Sequence, residues 1–300
     1  MTDGQSEIGA VQDMEKDAMS ETGERTFEFD LGDLVESDNR PEGFTGSPAA
    51  TEVEQWADKI VSQREKFDAV FYDIETGPRP EDELRQLFRE KTLEEFTATC
   101  DKRWKPDTVA AKYKEYREKA WGEFVGKAAL SPVTGRVLLI GVIKDGHFVG
   151  ISDDNEANSL GLFWAKVDEW LGNKLPIIGH NSNSFDLPFL IRRSWLLGVD
   201  VPREIRQGRH WHPLFRDTME YWNCGAKGYV SLNSLGEAFG VGQKTEGIHG
   251  KDFHRWWFGE MEWNPTTGAG TPAEQREKAL EYAEQDVQLT AAVAAKMGMV

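Results

Sequence analysis

The sequence predicts an α/β domain built on a mixed sheet. Three apolar segments come first along the core, at 67–74, 136–143 and 147–151, and their β-branched and aromatic residues are typical of strands. After them, helical and extended patterns alternate to the end of the chain. A group of strands followed by alternating helices and strands is the order expected for a mixed sheet covered by helices.

Each element has its own signal. The segment 67–74 is bounded by Gly77-Pro78, which predicts a turn after the first strand. The next two strands flank Asp145-Gly146, a dipeptide that favours a tight hairpin. In chain order, the remaining predictions are a helix at 155–172, a buried strand at 175–178, a helix at 184–197 ending at Gly198, a strand at 215–222, a helix at 231–239 and a helix at 272–297.

The charge is spread unevenly along the chain. The 300 residues include 35 Lys and Arg against 52 Asp and Glu, a net charge of −17, and the first 50 hold 13 acidic and 3 basic residues. With little apolar periodicity, 1–50 is predicted to be a mostly disordered acidic tail, and 51–300 to be the folded domain, opening with a short helix at 51–66. The segment 78–130 holds 11 acidic and 12 basic residues and is predicted to be a helical insert.

Composition excludes several classes of protein. A hydrophobic content of 39% excludes wholesale disorder. No segment approaches the roughly 18 apolar residues of a membrane helix, and the acidic N-terminus lacks the apolar core of a secretion signal. Cys100 and Cys224 cannot build a disulfide framework, so we expect a soluble protein of a reducing compartment such as the cytoplasm. The net charge argues against a broad, non-specific grip on nucleic acid.

A first pair of carboxylates ends the first strand. Asp73 and Glu75 are two residues apart, so on a strand they point to the same face. Carboxylates held side by side repel each other unless a cation lies between them, and hard divalent ions such as Mg²⁺ bind carboxylate oxygens. The alternative is chance, because Asp-x-Glu recurs easily in a chain with 52 acidic residues.

Two further carboxylates lie on predicted helices. Asp186 opens the helix after the buried strand, near the positive end of the helix dipole, although an ordinary acidic residue at a helix start would have the same pattern. Tyr282 and Asp286 are four residues apart on the last helix, so they share one face. Here the alternative is a surface aspartate beside a core tyrosine.

Taken together, these motifs carry a family resemblance. Asp-x-Glu on the first core strand, Asn-x-x-x-Phe-Asp at a helix start and Tyr-x-x-x-Asp on the last helix occur in this order. The chain thereby resembles the DEDD (DnaQ-like) exonuclease superfamily in its tyrosine-bearing DEDDy branch, and is similar to the proofreading exonuclease domains of family B DNA polymerases. The resemblance covers roughly 67–76 and 131–295, is weak across 78–130 and is absent over 1–50.

The resemblance implies a fold and a site. The fold would be RNase H-like, with a mixed five-stranded sheet flanked by helices and a helical insert after the first core strand. The site would hold two Mg²⁺ (or Mn²⁺) ions. The implied roles are metal binding by Asp73, Glu75, Asp186 and Asp286, orientation of the attacking water by Tyr282, and contacts with the terminal nucleotides by Thr76, Asn181 and Phe185.

The implied function is a metal-dependent 3′→5′ exonuclease that releases nucleoside 5′-monophosphates from single-stranded DNA or frayed DNA 3′ ends, in replication, repair or recombination. We expect no polymerase domain after Val300 and no membrane partner. One alternative is a 3′→5′ exoribonuclease, since only recognition of the 2′-hydroxyl separates the two. Another is a non-catalytic accessory protein that binds nucleic-acid ends. In either case the acidic tail would dock a replication or recombination partner.

Three features remain outside this scheme. The insert carries Lys112, Lys114 and Arg117, which would either clasp the substrate strand or belong to a solvated helical excursion. The histidines, which include His210-x-His212, leave a zinc site as an alternative, but no Cys-x-x-Cys accompanies them. The pair Trp256-Trp257 indicates packing rather than base stacking.

Overall fold

The computed structural model describes residues 67–207, 210–243, 248–262 and 270–300. The predicted acidic tail at 1–50 and the predicted short helix at 51–66 lie outside the described residues. The division of the chain into a tail and a folded domain therefore stays a prediction.

The described residues form an α/β domain around a mixed five-stranded sheet with the order β3-β2-β1-β4-β7. The strands are β1 (Val70–Pro78), β2 (Gly135–Lys144), β3 (His147–Ile151), β4 (Ile177–Gly179), β5 (Arg206–Gln207), β6 (His210–Trp211) and β7 (Phe215–Asp217). The α-helices are α1 (Glu81–Leu87), α2 (Leu93–Ala98), α3 (Pro106–Ala128), α4 (Glu156–Gly172), α5 (Asp186–Leu197), α6 (Thr218–Asn223), α7 (Leu232–Phe239), α8 (Phe253–Trp257) and α9 (Pro272–Lys296). The predicted fold class is confirmed.

Strand β1 lies at the centre of the sheet and is buried on both faces. It pairs antiparallel with β2 and parallel with β4. Val70 and Tyr72 belong to the core cluster shared with α4 and α5, whereas Phe71 belongs to the cluster shared with α9. Because side chains alternate along a strand, residues 73 and 75 lie on the same face as Phe71, toward α9.

Several boundaries follow from local signals. The hairpin residues Asp145 and Gly146 both have positive φ (55° and 83°), as the Asp-Gly dipeptide predicts. Helix α9 begins with a reciprocal capping box in which Thr271 accepts the N–H of Glu274 and the Glu274 carboxylate accepts the N–H of Thr271. Gly198, at a φ of 72°, ends α5 as predicted.

Two predicted boundaries were wrong. Strand β1 runs through Gly77 and Pro78, where we predicted a turn, because both residues still pair with β2. The predicted strand at 215–222 ends at Asp217, and the residues after it form α6. The cause is the Asp217 side chain, which accepts the N–H groups of Met219 and Glu220 and so caps a helix.

The segment between β1 and β2 folds as three helices, α1, α2 and α3, in agreement with the helical character predicted for 78–130. Aromatic contacts join them. The Phe88 ring lies 5.3 Å from that of Trp121, and the Phe96 ring lies 5.4 Å from that of Tyr113. Across the part of the chain that the structure describes, no helix is both long and apolar enough to cross a membrane.

A buried ion pair joins α4 and α5 to the start of β2. The side chains of Arg193 and Glu156 are only 4% and 12% exposed. Arg193 donates from Nε to Glu156 Oε1 (2.9 Å) and from Nη1 to the carbonyl of Pro132 (3.0 Å), while Glu156 Oε1 also accepts the N–H of Val137 (2.8 Å). The pair therefore holds two helices, the start of β2 and the segment just before it together.

Replacing Glu156 by glutamine is expected to lower the free energy of unfolding by about 3 kcal/mol, because it leaves the Arg193 charge buried without its counter-charge. Urea denaturation of the purified protein measures this loss. The matched control is Glu169→Gln, since Glu169 pairs with Lys166 on the exposed face of α4 and such pairs contribute about 0–1 kcal/mol. Equal losses in the two variants would contradict the structural role of the buried pair.

Candidate active site

Three predicted carboxylates meet between β1 and α9. Asp73 and Glu75 point toward α9 from the middle of β1, and Asp286 faces them from α9. One oxygen from each carboxylate lies within 4.8 Å of the others. Glu75 and Asp286 are buried, at 7% and 3% exposure, and Asp73 is partly exposed. The fold thus brings Asp286, from the last helix, beside two carboxylates of the first strand.

The fourth predicted carboxylate, Asp186, lies beside this group but outside the three that meet within 4.8 Å. It opens α5, is 3% exposed, and its Oδ1 accepts the N–H of Ile74 at 3.0 Å. Burial raises the pKa of Asp186 well above its usual value, the negative charge of Asp73 raises it further, and the Ile74 N–H opposes both. Asp186 is therefore anchored directly to the strand that carries Asp73 and Glu75.

Tyr282 lies one turn before Asp286 on α9 and is 8% exposed. Its ring centroid lies 6.2 Å from that of Phe253 in α8, and both rings belong to a buried cluster with Trp256 and Trp257. The tryptophan pair packs, as predicted. Because Tyr282 and Asp286 are four residues apart on α9, they share one face of the helix.

The three predicted substrate contacts have different surroundings. Thr76 donates its hydroxyl to the carbonyl of Ala129 at 2.9 Å. Phe185 packs against the core, with its ring 5.6 Å from that of Phe189. Asn181 is half-buried in the loop between β4 and α5 and has a left-handed backbone, with φ at 56°. Contacts of all three with a nucleotide stay predictions.

Sequence reasoning missed Asp217 as a member of this region. Its carboxylate, 3% exposed, accepts the N–H groups of Asn181 and Asn183, both at 2.9 Å. Burial raises the pKa of Asp217, and its backbone N–H partners lower it. Asp217-Thr218-Met219 does belong to the resemblance described above, but an aspartate before a helical pattern also suits a plain helix cap, and no role in the site was predicted for it.

The insert's cations largely face its own acidic residues. Arg117 pairs with Glu90, and Lys112 and Lys119 both pair with Glu115, whose pKa their hydrogen bonds lower to about 2. This pairing favours the solvated-helix alternative over a clasp on the substrate strand. The clasp stays a prediction.

The donor chemistry fits a hard divalent cation. Three carboxylates with oxygens within 4.8 Å of one another supply the ligands that Mg²⁺ and Mn²⁺ prefer. Among the residues that the structure describes, this is the one group of three or more His, Cys, Asp or Glu side chains placed to hold a metal ion, and it contains no histidine. The geometry therefore does not support the zinc alternative at the described histidines.

A mixed sheet of this strand order, with Asp73 and Glu75 on its central strand, defines a class of α/β domain that the family comparison identifies. The model of the RNase_H superfamily matches residues 128–298. The chain belongs to the RNase_H superfamily. The matched range includes Asp186, Tyr282 and Asp286, and β1 with Asp73 and Glu75 precedes it.

None of the curated proteins compared with the chain matches it. Among solved structures, the chain is similar to the family B DNA polymerase from the hyperthermophilic archaeon Pyrobaculum calidifontis, with 23% sequence identity and a TM-score of 0.43. The match covers 57% of this chain and 23% of the polymerase chain, so it spans less than a quarter of that protein's length. The assignment to the superfamily rests on the family model.

Divalent cations are expected to stabilise the protein, because an ion that binds only the folded state raises the free energy of unfolding. At a free-ion concentration a hundred-fold above Kd the gain is about 2.7 kcal/mol, or a rise in Tm of roughly 5–10 °C for a domain of this size. Thermal unfolding in Mg²⁺ or Mn²⁺ against EDTA measures it.

The isosteric variant Asp286→Asn should lose most of this rise, whereas Asp200→Asn, a change at an exposed aspartate beyond the end of α5, should keep it. A rise of equal size in Asp286→Asn and wild type would place the ion elsewhere.

Proposed function

We propose that this protein is a metal-dependent 3′→5′ exonuclease that hydrolyses phosphodiester bonds at DNA ends and releases nucleoside 5′-monophosphates. Membership of the RNase_H superfamily supports nuclease activity. The observation that carries the finer proposal is the group of Asp73, Glu75 and Asp286 with Tyr282 one turn away on the same helix. The order of these residues along the chain is that of the DEDDy branch.

The carboxylates would hold two divalent ions. Asp73, Glu75 and Asp286 supply oxygens within 4.8 Å of one another, and Asp186 adds a further buried carboxylate beside Asp73. When bound, such ions lower the pKa of a water nucleophile and stabilise the charge of the leaving oxygen. A cation near Asp186 would also favour its ionised form against the burial that raises its pKa.

Tyr282 would orient the attacking water rather than deprotonate it, because a tyrosine hydroxyl with an ordinary pKa of about 10 is a poor base near neutral pH. The Phe253 ring packs against Tyr282 and limits where its hydroxyl can lie. On the substrate side, Thr76, Asn181 and Phe185 would contact the terminal nucleotides.

The charge of the chain bears on the choice of substrate. The first 50 residues account for −10 of the net charge of −17. A further four of the negative charges belong to the proposed ligands, and two bound dications would offset them. The protein would therefore engage a strand end through the ions and a few contacts rather than grip a duplex broadly. Single-stranded DNA and frayed 3′ ends fit this mode.

The cellular setting that we propose is DNA replication, repair or recombination. Replication, repair or recombination would generate such ends, and a partner would dock on the acidic tail at 1–50, which lies outside the described residues. Neither described cysteine, Cys100 or Cys224, is in a disulfide, which suits the predicted reducing, cytoplasmic location.

The central test is cleavage of 5′-labelled single-stranded DNA and RNA in Mg²⁺, Mn²⁺ or EDTA. We expect a ladder that shortens from the 3′ end of DNA only with metal. Asp286→Asn should lower the rate by at least about 10³-fold, because it removes a ligand while the fold is kept. Glu277→Gln, at an exposed position of the same helix, is the control.

Three outcomes would redirect the proposal. A ladder on RNA alone would favour the exoribonuclease, no ladder on any substrate would favour the accessory protein, and full activity of Asp286→Asn would refute the site. Circular dichroism of each variant shows whether the fold is intact.

Replacing Tyr282 by phenylalanine should lower kcat about 10- to 100-fold with KM nearly unchanged, because the ring still packs on Phe253 while the hydroxyl is lost. Steady-state kinetics on single-stranded DNA give both constants. If kcat is unaffected, the hydroxyl does not orient the water and Tyr282 is a core residue of α9.

A further inference from the structure

Residues at the start of α6 form hydrogen bonds with the loop that joins β4 to α5. Asp217 Oδ1 accepts the N–H of Asn181 and of Met219, at 2.9 and 2.8 Å, and its Oδ2 accepts the N–H of Asn183 at 2.9 Å. One buried carboxylate thus bonds both the first turn of its own helix and two residues more than 30 positions earlier in the chain.

Two neighbouring residues of α6 also form hydrogen bonds with this loop. Thr218 Oγ1 shares a hydrogen bond with His180 Nδ1 at 2.8 Å, and Glu220 Oε2 accepts the side-chain amide of Asn183 at 2.7 Å. Three residues at the start of α6 therefore hold three of the four loop residues at 180–183. We call this set, which consists of Asp217, Thr218 and Glu220, the α6 clamp.

The clamp holds a backbone conformation that the loop would not favour alone. Asn181 has a φ of 56°, in the left-handed region that most residues avoid and that asparagine tolerates best. The conformation sets the direction in which the Asn181 side chain leaves the loop. The bond from its N–H to Asp217 is the contact that ties this residue to the clamp.

We infer that Asp217 is a positioning residue for substrate binding, which acts by holding Asn181 in the orientation that contacts the terminal nucleotide. This inference rests on the proposed exonuclease function and adds a residue to it. A helix cap alone would need only the bonds to Met219 and Glu220. The bonds to Asn181 and Asn183 do not cap α6. They hold the loop that leads into Asp186.

The test is a double-mutant cycle with Asp217→Asn and Asn181→Gly. The amide keeps one acceptor oxygen, which can still cap α6, and places an N–H group against the N–H of Asn183. Glycine at 181 removes the side chain and still permits the left-handed backbone. KM and kcat are measured with 5′-labelled single-stranded DNA in Mg²⁺ for wild type, both single variants and the double variant.

We expect Asp217→Asn to raise KM about tenfold, equivalent to about 1.4 kcal/mol, with kcat within about twofold of wild type. Asn181→Gly should do the same, and Asp217→Asn should add little in the Asn181→Gly background, because the two act on one contact. Asn155→Ala, which removes the cap of α4, is the control for loss of a cap and should leave KM unchanged.

A tenfold rise in KM from Asp217→Asn in the Asn181→Gly background would overturn the inference, and so would a fall in kcat alone. If Asp217→Asn does not fold, the same cycle with Asn181→Gly is measured with Glu220→Ala instead. Glu220 is exposed, and its loss should raise KM about two- to threefold in the wild-type background only. A wild-type protein that cleaves no nucleic acid would refute the proposed function instead.

Discussion

Mutual repulsion of carboxylates is the constraint on which the rest of the structure depends. Asp73, Glu75 and Asp286 have oxygens within 4.8 Å of one another, and two of these residues are buried, so the arrangement costs free energy unless a cation offsets the charges. The fold opposes the repulsion by placing all three on packed elements. Strand β1 is covered on both faces, and α9 approaches it closely through small residues such as Ala291 and Ala294, which pack with Phe71. The hydrophobic contacts of β1 and α9 thus hold the acidic group in place.

Local patterns predicted most of the elements and the positions of the candidate metal ligands on them. The Asp145-Gly146 hairpin, the end of α5 at Gly198 and the shared face of Asp73 and Glu75 all follow from periodicity and turn chemistry. Contacts between segments that are distant in the sequence were not predictable in the same way. Nothing near Asp217 in sequence indicates that its carboxylate bonds residues 34 and 36 positions away, so its segment had the pattern of a longer strand. The two-stranded ribbon of β5 and β6 likewise had no strong local signal.

The distribution of charged residues is compatible with a nucleic-acid substrate even though the protein is acidic overall. Three exposed cations of α3 pair within the insert, Lys112 and Lys119 with Glu115 and Arg117 with Glu90. Exposed pairs of this kind contribute little to stability, but they leave less free positive charge for binding phosphates. Attraction for a strand end would therefore be concentrated at bound dications and would weaken where they are absent. Dependence on metal would then govern binding as well as chemistry.

The site also separates groups that secondary structure positions from groups that need additional support. Strand β1 and helix α9 set the orientation of the Asp73, Glu75 and Asp286 side chains. Asn181, in contrast, lies in a loop and has a left-handed backbone. A loop residue keeps one direction only where several contacts over-determine it. The α6 clamp supplies such contacts, and Asp186 benefits as well, because α5 begins where the same loop ends. Supports of this kind act between distant segments, which is why the residues that hold the loop between β4 and α5 are the least visible in the sequence.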